Sequence, residues 1–126
     1  MQRITVLLVD DHESFLKAAM RHFRNLPWLE VVGQALNGLE AVEKAEALKP
    51  DAVLMDLAMP EMGGLQACRL IKAQDDPPFV VIASHFDDAQ HREHSARAGA
   101  DAFVSKLSYI QEVMPLLRRL AGVEEA

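Results

Sequence analysis

VLMDLAMPEMGG, the sequence of residues 53–64, decides the fold class predicted for this chain. The apolar run at 52–55 predicts a buried strand, and Asp56 follows it directly. Pro60 and the pair Gly63-Gly64 then favour a turn before the next helix. An acidic side chain at the end of a central strand is costly to bury without a partner, and open α/β sheets place their ligand sites at such ends. From this stretch alone, Asp56 could equally be a cap for the loop or the following helix.

The composition is that of a single cytosolic domain. The chain has 126 residues, 50% of them hydrophobic, which suffices for one core. Its 19 acidic and 13 basic residues give a net charge of −6, which argues against direct nucleic-acid binding because phosphate contacts need a concentrated basic face. A single cysteine, Cys68, excludes an internal disulfide and is expected on the buried face of a helix. No apolar run is long enough for a signal peptide or a membrane span, so we expect a cytoplasmic protein.

Five strands alternate with five helices along the chain. Strands are predicted at 4–9, 30–35, 52–56, 79–83 and 102–105. Helices are predicted at about 13–25, 39–48, 64–73 and 88–98, with a last one opening in a capping box of Ser108 and Gln111. Short strand–helix connections predict an α/β fold with a doubly wound, five-stranded parallel sheet. Residues 1–121 form one domain in this interpretation, and 122–126 form a flexible tail.

The helices are expected to differ in how they pack. The second helix is expected to bury Val42, Ala45 and Leu48. The fourth has no apolar side chain larger than alanine between 89 and 98, so it should be weakly held. Pro115 lies inside the last helical pattern and predicts a kink or a late start, because proline lacks the amide hydrogen that a helix interior uses.

Polar residues stand where the predicted strands end. Because parallel strands end at one edge of the sheet, they are expected to form one constellation: Asp10, Asp11, Asp56, Ser84 and Lys106. Each alone has an ordinary structural explanation, as a helix cap, a turn residue or a solvated charge. Three crowded carboxylates should raise at least one pKa unless a cation compensates, and oxygen-only ligands favour Mg²⁺.

The same constellation suggests phosphoryl chemistry. A cation, the Lys106 ammonium and the Ser84 hydroxyl would neutralise the oxygens of a phosphoryl group on Asp56, which would act as the nucleophile. No strong general base is legible nearby. The site should therefore transfer phosphate better than it hydrolyses it, as a regulator with slow autodephosphorylation and not as an enzyme.

Taken together, these residues resemble a two-component response-regulator receiver domain over essentially the whole chain. The resemblance implies a flavodoxin-like (βα)5 fold with strand order 2-1-3-4-5. It also implies that Asp56 is the phosphoacceptor and that Asp10, Asp11 and the backbone carbonyl of Ala58 hold Mg²⁺ beside it. Lys106 would contact the phosphate.

The resemblance extends to the switch and to the partners. Ser84 is implied as the switch hydroxyl and Phe103 as the switch aromatic, with an output surface on the fourth helix, the fifth strand and the start of the fifth helix. The segments VDDH (9–12) and MDLAMP (55–60), with VVG and NG between them, resemble NarL/LuxR-type receivers, which usually precede a helix-turn-helix domain. Expected partners are a sensor histidine kinase or phosphotransfer protein and a second copy in a homodimer. Nucleic-acid contact would require such a C-terminal helix-turn-helix domain.

Some residues depart from the family pattern. Leu107 stands where many receivers have a proline, and His85 follows Ser84 where a small residue is common. The His85 ring could narrow phosphoryl access or add a titratable contact.

Other functions are alternatives to this one. His85, His91 and His94 could form a transition-metal site, although no cysteine is near. A haloacid-dehalogenase-type phosphatase would need a second acid at the position of Ala58, and a flavodoxin would need a Ser/Thr/Gly-rich phosphate loop in place of Asp10-Asp11. A receiver-like interaction module that works without phosphorylation is the remaining alternative.

Overall fold

The computed structural model describes residues 3–86 and 88–123. The strands are β1 (Ile4–Val9), β2 (Leu29–Ala35), β3 (Ala52–Asp56), β4 (Phe79–Ser84) and β5 (Ala102–Ser105). The helices are α1 (Glu13–Phe23), α2 (Gly38–Leu48), α3 (Gly64–Lys72), α4 (Ala89–Arg97) and α5 (Tyr109–Ala121), with a 3-10 turn at Lys106–Ser108. The predicted element order is confirmed, and the common boundaries shift by two residues or fewer. No helix in the described ranges is long and apolar enough to cross a membrane.

All strand pairs are parallel, in the order β2-β1-β3-β4-β5. The predicted doubly wound sheet and its 2-1-3-4-5 order are therefore confirmed. Since every strand runs the same way, the residues that follow β1, β3, β4 and β5 meet at one edge. This edge carries the site described below.

Each face of the sheet has its own hydrophobic core. On β3, Ala52 and Leu54 pack into the cluster formed with α1 and α5. Val53 and Met55 pack into the cluster formed with α2 and α3, where the Cys68 side chain is fully buried. Burial on both faces explains why the strand is an uninterrupted apolar run.

Two glycines fix the loop after Asp56 by backbone contact. A Cβ on Gly64 would lie 2.3 Å from the Asp56 carbonyl oxygen, and one on Gly38 would lie 2.3 Å from that of Met62. The Gly64 amide donates to Leu57 O at 2.8 Å, and the Gly38 amide donates to Met62 O at 2.9 Å. The N-termini of α2 and α3 therefore hold this loop closely, and larger side chains would displace it.

Two side-chain predictions are wrong. Leu48 is 43% exposed, because β2 is an edge strand and the side chain lies over Gly33 without a further layer to cover it. The Ser108–Gln111 capping box does not form. Instead, the Ser108 hydroxyl donates to the Glu112 carboxylate, whose other oxygen accepts from Ser105 N at 3.2 Å.

The last helix does not begin after its proline, as one of the two expectations had it, but includes the proline in its interior. α5 begins at Tyr109 and includes Pro115, so the carbonyl of the exposed Gln111 loses its helical donor and is left to solvent. Gly122, at φ +69°, ends the helix, and Val123 N donates to Arg118 O at 2.9 Å. Of the predicted tail, residues 124–126 lie outside the described ranges.

Helix α4 has few buried side chains, as predicted. Ser95 is its one buried residue, and it donates its hydroxyl to His91 O at 2.9 Å. The other contacts are made by long polar side chains: the Arg92 guanidinium lies 4.8 Å from the centroid of the Phe103 ring. Such contacts give less apolar burial than the stripes of α1 and α5.

Candidate functional site

Two carboxylates are buried at the shared strand edge. Asp10 follows β1 and Asp56 ends β3, and the two strands are paired there through Val9 and Met55. Asp10 is 2% exposed and Asp56 is 7% exposed. Carboxylates are rarely buried to this extent without a cation.

Lys106 is the cation that both carboxylates share. Its Nζ lies 2.6 Å from Asp10 Oδ2 and 3.3 Å from Asp56 Oδ1, and its side chain is 2% exposed. Lys106 follows β5, so its side chain extends past the end of β4 to reach β3 and β1. The Phe15 ring, with its centroid 4.4 Å from Nζ, lines the apolar side of this path.

One ammonium does not fully compensate the acidic edge. The pKa of Asp56 is raised above its usual value by burial and by the neighbouring Asp10 carboxylate, while Lys106 opposes the rise. This confirms the expectation that at least one pKa would rise. A second cation at this edge would relieve the repulsion.

Asp11 and His12 complete the cluster on its solvent side. Asp11 Oδ1 is a buried atom without a hydrogen-bond partner. His12 Nδ1 lies 3.2 Å from both Asp10 Oδ1 and Asp11 Oδ1, although only the contact to Asp10 has hydrogen-bond geometry. One potential ligand atom from each of Asp10, Asp11, His12 and Asp56 lies within 4.8 Å of the others.

This is the one cluster of three or more acidic, histidine or cysteine side chains close enough for a metal in ranges 3–86 and 88–123. The transition-metal site considered for His85, His91 and His94 does not form there. Instead, His91 Nδ1 lies 2.7 Å from Asp88 Oδ1, and the His91 ring stacks on Phe86 with centroids 5.5 Å apart.

Ser84 and Phe103 flank the cluster on β4 and β5. Ser84 is 2% exposed. The residue before it, Ala83, accepts a hydrogen bond at 2.9 Å from the amide of Leu57, the residue that directly follows Asp56. The Ser84 hydroxyl oxygen accepts from Phe86 N at 2.9 Å, which leaves its hydrogen free for another acceptor. Phe103 is half-buried.

The structure therefore brings Asp10, Asp11, Asp56 and Lys106 into direct proximity. Ser84 lies at the adjacent strand end, and Ala58 lies two residues after Asp56 in an exposed part of the loop. Two further residues contact the site without a role predicted from the sequence, His12 and Phe15. The sequence signal for His12 was its position directly after Asp10-Asp11, whereas Phe15 was indistinguishable from the core stripe of its helix.

Known proteins resemble this chain in sequence or in structure. The response regulator GacA of Pseudomonas aeruginosa is 36% identical over 118 residues, which are 93% of this chain and 55% of that protein. The signal receiver domain of NarL from Mycobacterium tuberculosis is 27% identical with a TM-score of 0.89, over 98% of this chain and all of that one. A chain of the CheX–CheY–BeF3–Mg²⁺ complex from Borrelia burgdorferi is 26% identical with a TM-score of 0.81, over 92% of this chain and 90% of that one.

The chain spans between 27% and 58% of the length of curated relatives that it matches. The model of the response regulator receiver domain matches residues 6–118. These bounds lie in β1 and α5, so the match includes all five strands and both faces of the sheet. The likeness to NarL agrees with the NarL/LuxR-type resemblance that the sequence predicted. The chain belongs to the response regulator receiver domain family of two-component signalling systems.

Proposed function

We propose that Asp56 is the phosphoacceptor of this receiver domain and takes its phosphoryl group from a sensor histidine kinase or a phosphotransfer protein. The observation that carries the proposal is the buried pair of carboxylates sharing Lys106 at the sheet edge. A carboxylate oxygen of Asp56 forms the new bond to phosphorus while the bond from phosphorus to the donor breaks. The product is an acyl phosphate on β3.

Three groups of the chain prepare this step. Lys106, 3.3 Å from Asp56 Oδ1, favours the ionised carboxylate that the reaction needs and lies where it can contact a phosphoryl oxygen. The Ser84 hydroxyl hydrogen is free to donate to a second oxygen. Gly64 and Gly38 hold the loop after Asp56 in place, so the nucleophile is positioned before a donor arrives.

The donor set fits a magnesium ion. Asp10, Asp11 and Asp56 supply oxygen ligands, and the buried, unpartnered Asp11 Oδ1 is an acceptor that a hard cation would satisfy. The Ala58 carbonyl would be a further ligand. When bound, Mg²⁺ neutralises charge on the oxygens of the transferred group. The proposed role is that of a regulatory module with slow autodephosphorylation.

The phosphorylated state is expected to change the surface of α4, β5 and the start of α5. The Ser84 hydroxyl oxygen accepts a hydrogen bond from Phe86 N, and the Phe86 ring stacks on His91 at the start of α4. The Arg92 guanidinium lies over the Phe103 ring. A phosphoryl oxygen that draws the Ser84 hydroxyl inward would disturb these contacts and release Phe103. A homodimer formed through this surface, and a helix-turn-helix output domain beyond this chain, are further parts of the proposal.

Intact mass measured after incubation with acetyl phosphate and Mg²⁺ tests the assignment. The chain should gain one phosphoryl group, and Asp56→Asn should gain none. Asp76→Asn is a matched control, because Asp76 is exposed and its positive φ of 50° suits asparagine. Labelling of Asp56→Asn would refute Asp56 as the phosphoacceptor, whereas no labelling of the unaltered chain by any phosphoryl donor would favour a receiver-like module that works without phosphorylation.

A further inference from the structure

His12 is held against the acidic edge by its own backbone. It is the N-cap residue of α1, in an extended conformation at φ −97° and ψ 103°, and makes no side-chain cap hydrogen bond. Its amide donates to Asp10 Oδ1 at 2.9 Å, which fixes the start of the side chain beside that carboxylate. The ring is 65% exposed overall, yet its Nδ1 lies between Asp10 and Asp11.

The spacing of these atoms matches that of ligands around one ion. Two neighbouring octahedral ligands at about 2.1 Å from a metal are about 3.0 Å apart, and two opposite ligands are about 4.2 Å apart. His12 Nδ1 is 3.2 Å from Asp10 Oδ1 and 3.2 Å from Asp11 Oδ1, which suits adjacent positions. The potential ligand atoms of the four residues lie within 4.8 Å of one another. The largest of these distances would have to shorten by less than about 1 Å to match two opposite ligands of one ion.

We propose that His12 Nδ1 is an additional ligand at this edge when an imidazole-binding transition ion occupies the site in place of Mg²⁺. This inference rests on the proposed function, in which Asp10, Asp11 and Asp56 hold a cation. Two observations support it independently of charge: the distance of 3.2 Å from the ring nitrogen to each carboxylate, and the buried Asp11 Oδ1 that has no hydrogen-bond partner. In the hydrogen bond to Asp10 Oδ1, Nδ1 carries the ring proton, so metal binding through Nδ1 requires the other neutral tautomer, with its proton on Nε2.

The ligand chemistry predicts which ions gain from His12. Mg²⁺ prefers oxygen and retains water, so the ring contributes little to its binding. Ni²⁺ and Co²⁺ bind imidazole well and exceed Mn²⁺ in affinity for a given nitrogen-containing site. Removal of His12 should therefore weaken Ni²⁺ binding much more than Mg²⁺ binding.

Calorimetric titrations of the untagged chain with Mg²⁺ alone and with Ni²⁺ alone test this selectivity. His12→Gln keeps a polar side chain but removes the imidazole. Loss of an outer-shell partner already costs about 10-fold or more in metal affinity, so loss of this ligand should weaken Ni²⁺ binding at least about 10-fold. Mg²⁺ affinity should change less than about threefold, because its ligands are the carboxylates.

His22→Gln is the matched control. His22 lies in the last turn of the same helix, with its ring against Phe23 at 5.8 Å between centroids, and the site lies at the other end of α1. The visible spectrum of bound Co²⁺ is a second readout, since exchange of a nitrogen ligand for water changes the ligand field. The spectrum should change in His12→Gln and not in His22→Gln.

Each outcome separates the claims. Unchanged Ni²⁺ affinity and an unchanged Co²⁺ spectrum in His12→Gln would overturn the assignment, and so would equal losses for Mg²⁺ and Ni²⁺, which would indicate a structural role. Asp11→Asn should weaken both ions. If it weakens neither, the metal site of the proposed function fails and this inference fails with it, whereas a failure limited to His12→Gln leaves the proposed function intact.

Discussion

Replacement of Lys106 by methionine should destabilise the protein by about 3 kcal/mol. At an effective dielectric constant of about 20, its contacts at 2.6 and 3.3 Å correspond to attractions of about 6 and about 5 kcal/mol. Most of that attraction offsets the loss of hydration of three buried charges. Removal of one partner from a buried ion pair costs about 3–5 kcal/mol, and the lower end applies because a proton can bind Asp56.

Urea unfolding at neutral pH without divalent cations measures this cost. Methionine is close to lysine in length and fills the space beside Phe15, so the loss should report charge more than volume. Arg97→Met is the control. Its pair with Glu93 is exposed, at 70% and 58% of the two side chains, and should contribute less than about 1 kcal/mol.

The loss should depend on pH with a defined sign. Lys106 lowers the pKa of Asp56, so the variant raises that pKa further. A folded state with a raised carboxyl pKa loses stability as pH increases through that pKa, so the deficit should be smaller at about pH 5 than at about pH 7. A loss below about 1 kcal/mol at pH 7, or a deficit that does not vary with pH, would refute the view that Lys106 is the counterion of the edge.

Three further predictions concern the site and its output. Asp56→Asn should raise the free energy of unfolding in urea at neutral pH without Mg²⁺, because the raised pKa of Asp56 makes its ionisation unfavourable in the folded state. The gain should vanish near pH 4, where the carboxyl group is protonated. No gain at pH 7 would contradict the raised pKa. Asp11→Ala should weaken Mg²⁺ binding, measured by calorimetry, and acetyl phosphate labelling together; unchanged Mg²⁺ affinity would count against the site. Beryllium fluoride should change amide exchange most between residues 84 and 110, and changes confined to α1 and α2 would show that the switch runs elsewhere.

The positions of β1, β3 and β4 were predictable because these strands are buried on both faces. Apolar-rich runs such as Ile4–Val9, in which Thr5 is the one polar residue, have few competing interpretations in a chain with regular alternation. The acidic edge followed from the same reasoning, since the residues after parallel strands must meet at one edge. The strand ends alone were enough to place four residues together, before any interatomic distance was known: Asp10, Asp11, Asp56 and Lys106.

The side-chain partners were not predictable to the same degree. Ser108 bonds to Glu112 instead of capping its helix, and a choice between partners one turn apart depends on rotamers. Leu48 has the spacing of a buried residue but lies over β2, an edge strand. Which strand is at the edge depends on the strand order in the sheet, and hydrophobic periodicity does not predict that order. Likewise, the contact of His12 with two carboxylates depends on the backbone at the start of α1.

The position of Lys106 late in the chain has a consequence for synthesis. The carboxylates of Asp10 and Asp56 belong to the first half of the sequence, whereas their shared ammonium follows the last strand. A growing chain that has made β1 and β3 but not residue 106 has no lysine to bury with them, and burial of unpaired carboxylates costs several kcal/mol. On the ribosome, the central pair of strands must therefore keep its acidic ends in water until the segment that carries Lys106 emerges.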